Sequence, residues 1–184
     1  MKNLYDTDAG LQILYEKCVE SGPFLCRMHE NSPEKLHLRV MTLLEKLRLK
    51  PIAFYTKGID DHRDTYGVVD YSIAKRTIFT SLYQPYHFWP NLFEALAELE
   101  KGNADPLWQM SGTDPMHDMV MGSCVCPAYP SDITGFSGWI ATFAIACGDG
   151  PSPTDDFESL KKLYEDTAQI SIFAEVWDMR LACS

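Results

Sequence analysis

The stretch from Ser32 to Pro51 limits the fold more than any other part of the chain. Ser32 offers a side-chain oxygen to the first free backbone N–H groups of a helix, Pro33 suits the first helical position, and Glu34 favours the positive end of the dipole. Leu36, Val40, Leu43, Leu44 and Leu47 then recur at helical spacing until Pro51 stops the run. A helix with one apolar stripe must bury it against another element. The rest of the chain supplies partners of the same kind. Asp8 to Ser21 places Leu11, Leu14, Tyr15, Cys18 and Val19 on one face, with Thr7 or Asp8 as cap and Gly22-Pro23 as terminator. Asp70 caps a helix from Tyr71 to about Tyr83, with Ile73, Ile78, Phe79 and Leu82 inward. Pro90 heads another from Asn91 to Leu99, ended by Gly102, and a short helical turn follows from Asp105 to Met110. Ser131 or Asp132 caps an apolar helix through Trp139 to Ala146, and Thr154 caps a long final helix to about Trp177. The one strand expected is Ile52 to Tyr55, and GIDDHRDTYG reads as a polar loop. The expectation is an all-α fold of about six or seven helices, in a single helical domain over residues 1–184.

Charge narrows the partners. Acidic residues outnumber basic ones 26 to 16, for a formal charge of -10. Such a surface repels phosphate backbones and anionic lipid, so neither nucleic acid nor membrane is an expected partner. No apolar run approaches the roughly 20 residues of a spanning helix, and the opening MKNLYDTDAG carries no signal-peptide core, which leaves the compartment open. Six cysteines (Cys18, Cys26, Cys124, Cys126, Cys147 and Cys183) allow many pairings, and a free cysteine is also a common buried residue.

The motifs of chemistry are missing. Gly135-Phe136-Ser137-Gly138-Trp139 approaches a nucleophile elbow but has Trp139 where the second glycine must relieve the turn. There is no phosphate loop, dinucleotide fingerprint or paired-histidine zinc helix, so no cofactor is expected. Asp114, His117, Asp118, Cys124 and Cys126 are metal-ligand types in the wrong spacing, and reading them as an ordinary loop is favoured over a metal site or a Cys-His pair. The densest feature is aromatic: Tyr83, Tyr86, His87, Phe88 and Trp89, between Pro85 and Pro90, with Trp108 and Trp139 elsewhere. Packing explains most such clusters. The two prolines, however, favour an irregular backbone that turns the rings toward a ligand. The candidate binding residues are therefore Tyr83, Tyr86, Trp89 and Trp108, with His87 the candidate acid–base group because an imidazole ordinarily titrates near neutral pH. His29, His37 and His62 are expected on the surface.

Four strings together resemble a known family: LYDTDAGLQILYEKCVESGPFLC, DYSIAKRTIFTSLYQPYHFWPNLFEALAELEKGNADPLW, AIACGDG and WDMRLACS. They are similar, in this order and over most of the chain, to fungal and bacterial α/β-hydrolases of the tripeptidyl-aminopeptidase-like and prolyl-aminopeptidase-like group. The first string resembles the region after the nucleophile half, the second the helices of the cap, and the last two the segments before the final core strands. In that family the serine precedes the first string, and the acid and histidine follow the last. The resemblance thus implies a cap (lid) with its flanks, not hydrolytic by itself, whose partner is an apolar small molecule or peptide beneath a hydrolase core. It also implies that Cys18, Cys26, Cys147 and Cys183 are the paired cysteines. An apolar face separated from that core would favour a homo-oligomer. The alternative is a stand-alone biosynthetic enzyme, a cyclase or isomerase, that uses the helical cap as a pocket and holds its substrate in a reactive shape.

Overall fold

The structure is a computed structural model that describes residues 4–57, 64–111, 145, 147–148 and 156–176. Among these residues there are six helices and one two-stranded sheet, so the fold is mostly α as the stripes require. The chain divides into two compact units, Asp6–Gly112 and Met1–Tyr5 with Thr113–Ser184.

Five helices and the sheet make up the first unit. Helix α1 (Thr7–Leu25) buries Leu11, Leu14, Tyr15 and Cys18, and bends at Gly22, whose φ of 76° is left-handed. Pro23 follows, and its missing N–H makes a straight continuation impossible. Helix α2 (Pro33–Leu49) starts on Ser32, whose hydroxyl accepts the Lys35 N–H at 3.4 Å, and all five residues of its stripe are buried. Helix α3 (Tyr71–Ser81) starts on Asp70, whose carboxylate accepts the Ile73 N–H at 2.9 Å. Removing that acceptor in Asp70→Ala is expected to cost about 1 kcal/mol, read as a lower urea midpoint; an unchanged midpoint would show that the cap carries no stability.

Helix α4 (Pro85–Glu100) begins earlier than Pro90 suggests. Pro85 takes the first turn, where no N–H is needed, and Pro90 lies inside the helix at the expense of one backbone bond. The burial of Leu92, Phe93, Leu96 and Leu99 along one face outweighs that loss. Helix α5 (Asp105–Ser111) buries Leu107. Packing runs α1 on α2, α2 on α3, and α3, α4 and α5 on one another.

The strand expectation needs extending. β1 (Ile52–Thr56) pairs antiparallel with β2 (Thr65–Val69), in a register that sets Phe54 opposite Gly67 and Tyr55 opposite Tyr66. β2 thus takes Thr65, Tyr66 and Gly67 out of the expected polar loop. The hairpin rests on α5: a Cβ on Gly67 would lie 2.8 Å from Trp108 Cη2 and 2.9 Å from Phe54 Cε1. Gly67 therefore breaks the apolar alternation at the point where the sheet is most tightly packed.

In the second unit, helix α6 (Phe157–Ala168) starts on Asp156, whose carboxylate accepts the Ser159 N–H at 2.9 Å. The expected cap, Thr154, lies outside the described residues, and the helix ends well before Trp177. Past Ala168 the Ile170 and Ser171 N–H groups both turn back to the Thr167 carbonyl, and the Ser171 hydroxyl accepts the Phe173 N–H at 3.1 Å. That local bond competes with the helical ladder. Phe173 and Ala174 are buried beyond the break.

Candidate functional site

The aromatic stretch runs from the link after α3, where Tyr83 sits, into the start of α4, which carries Tyr86 to Trp89, and most of it faces outward. Tyr86 is 95% exposed and Tyr83 65% exposed, although the Tyr83 ring meets Phe79 edge-on at 5.6 Å. Partial burial raises the Tyr83 phenol above its ordinary pKa, so it remains a hydrogen-bond donor at neutral pH. His87 is exposed, with its ring 4.8 Å from Phe88. Trp89 is half-buried and meets Phe93 edge-on at 6.4 Å; Phe93, one helical turn further on, is in the core. The stretch thus passes from solvent into the core over about one turn of α4. Lys17 of α1 lies close enough to feel the Tyr86 hydroxyl, although its pKa is raised first by the 2.6 Å hydrogen bond to Glu20.

Trp108 belongs elsewhere. Its ring lies 5.1 Å from Phe54 and covers Gly67. Its indole N–H is buried and meets no acceptor. Sequence reasoning grouped Trp108 with Tyr83, Tyr86, His87 and Trp89 on residue type, but its side chain wedges the hairpin onto α5. The other four lie within seven residues at the start of α4 and just before it, and present two phenols, an imidazole and an indole face. That arrangement can hold an apolar ligand and orient it by a few hydrogen bonds.

Two polar constellations escaped the sequence reading. Arg39 of α2 donates through Nε and Nη2 to Glu100 of α4, at 2.9 and 2.6 Å, and through Nη1 to Glu30 at 3.1 Å and the Met28 carbonyl at 3.3 Å. Glu100 is the first cause of the raised Arg39 pKa. Beside this clamp runs an open groove of about 320 Å3, bordered also by Lys35, Leu38, Thr42 and Lys46. The second constellation is buried at Tyr71 and Lys75 and reaches the surface at Arg48. Lys75 donates to the Tyr71 hydroxyl at 2.6 Å, and the Arg48 guanidinium stacks 3.7 Å above the Tyr71 ring. Helical spacing from Tyr71 to Lys75 hinted at that pair. Nothing local marks Glu100 as a partner, because it meets Arg39 only through the packing around α2 and α4, whereas Glu30 reaches Arg39 from the segment just before α2.

Cys18 and Cys26 form a disulfide, and Cys147 is also disulfide-bonded. Both observations fall on cysteines that the resemblance implied. His37 is half-buried instead of freely exposed, with its ring 5.6 Å from Tyr15, whose phenol is shifted upward by burial. Among the described residues no group of three His, Cys, Asp or Glu side chains is placed to hold a metal, and no helix is long and apolar enough to cross a membrane. Asp114, His117, Asp118, Cys124, Cys126 and Ser137 lie outside the described residues. No family model, curated protein or solved structure matches the chain.

Proposed function

We propose that this chain acts as the helical cap of a serine hydrolase of the tripeptidyl-aminopeptidase-like kind, covering the active site of a hydrolase core and selecting apolar substrates, with no hydrolysis of its own. The observation that supports this reading most is the exposure of the aromatic turn. Large rings are left in solvent at Tyr83, in the link after α3, and at Tyr86, in the first turn of α4, whose apolar face is buried further along. Exposed aromatics with polar tips are the side chains that capture apolar ligands while keeping one end hydrated. Tyr83, Tyr86 and Trp89 form the contact surface, and His87 adds the one imidazole beside it.

The test is a fluorescence titration of the full chain with a hydrophobic peptide amide and a long-chain ester. Both ligands should shift the tryptophan emission of the wild type, and the shift should disappear in Trp89→Phe, with the ester left uncleaved. An emission that no ligand perturbs would remove the binding surface. Ester turnover abolished by a serine-directed inhibitor would remove the statement that the chain is not hydrolytic.

A further inference from the structure

The segment between α1 and α2 ties three helices together. Arg27 pairs with Glu94 of α4 at 3.1 Å, and the Met28 carbonyl and Glu30 accept from Arg39 of α2, which also grips Glu100. Gly22 and Pro23 kink the end of α1, and past that end the segment makes two backbone bonds, Cys26 N–H to Gly22 O and His29 N–H to Cys26 O, each at 3.0 Å. Phe24 is 97% exposed and Leu25 77%, so neither anchors it in the core. The Arg27–Glu94 pair is exposed on both sides and restrains little. Besides the two Arg39 bonds, the segment is anchored by the buried Met28 side chain and by the disulfide between Cys18 and Cys26, whose residues are 0% and 2% exposed.

We propose that the Cys18–Cys26 disulfide is a redox lock on this three-helix clamp. In the oxidised chain residues 22–30 are seated and Arg39 is saturated by Met28 and the two glutamates. A dithiol breaks the Sγ–Sγ bond, leaves two protein thiols and is itself oxidised to a disulfide. The segment then opens locally while α3, α4 and α5 stay folded. Arg39 keeps Glu100 but loses the acceptors at Nη1, so the groove beside α2 becomes more cationic. Both sulfurs are buried, so attack passes through an opening of this same segment, and the lock answers sustained reducing conditions. The lock does not depend on the cap reading.

The experiment compares wild type with Cys18→Ala/Cys26→Ala, a variant that leaves the Cys147 disulfide in place. Losing the constraint on so short a loop should raise local opening roughly 50- to 100-fold, read as faster amide exchange over residues 22–30 and chymotryptic cleavage after Phe24 or Leu25. Arg39 should react with phenylglyoxal several-fold faster, with the already exposed Arg27 as the internal reference. Unchanged exchange and labelling overturn the proposal. Exchange that rises equally in α3, α4 and α5 also overturns it, because the bond is then a staple of the whole unit. Should the variant fail to fold, wild type reduced with dithiothreitol decides between the same outcomes, read over residues 6–112.

Discussion

Phe93→Ala is expected to lower the stability of the helical unit by about 3–5 kcal/mol, whereas Tyr86→Ala costs about 0.5 kcal/mol or less. Both residues are aromatic, both sit on α4, and they are two turns apart. Phe93 is 2% exposed, so truncation loses the transfer energy of a ring and leaves a cavity that close-packed neighbours fill only in part. Tyr86 is almost wholly in water, and its removal leaves no cavity. Urea unfolding of the two variants measures the contrast directly. Equal losses would mean that the aromatic turn is part of the core, and the ligand-binding reading would fall with it. Trp89→Ala belongs between the two, because its half-buried ring leans on Phe93.

The second large effect is steric. Gly67→Val should destabilise the hairpin on α5 by about 3 kcal/mol, with Gly67→Ala nearer 1–2 kcal/mol. The backbone at Gly67 is not left-handed, and valine favours strands, so the intrinsic preference points the other way. The loss comes from the Trp108 ring, whose Cη2 and Cζ2 atoms lie 2.8 and 2.9 Å from the new Cβ, and from Phe54 on the facing strand. Trp108→Leu in the same chain should recover part of the loss, a coupling that a double-mutant cycle measures. If Gly67→Val proves neutral and the Trp108 emission is unchanged, the hairpin is not seated on α5 as described.

The aromatic turn shows how far residue type carries an argument. Tyr83, Tyr86, His87 and Trp89 lie near one another because they are close in sequence, around the start of one helix. Trp108 was misgrouped because its partners, Phe54 and Gly67, are more than forty residues away along the chain. The same limit hid β2. A glycine at position 67 looks like a loop residue until the ring that fills its side-chain space is known.

Helix starts were local facts. Ser32 and Asp70 each satisfy a free N–H three residues ahead, and the stripe of α2 is buried at all five positions, because capping and amphipathic spacing involve groups within one or two turns of each other. Helix extents were decided by competition with the rest of the molecule. α4 continues through Pro90 because Leu92, Phe93, Leu96 and Leu99 gain more from burial than one backbone bond loses. The end of α6 at Ala168, by contrast, is followed by short-range bonds, the Ile170 and Ser171 N–H groups to the Thr167 carbonyl and the Phe173 N–H to Ser171. The Arg39–Glu100 pair and the Trp108 wedge rest on contacts across long sequence separations. Tertiary packing brings them together, a bundle of helices in the first case and a hairpin on a helix in the second, and the order of residues along the chain carries no periodic signal of it.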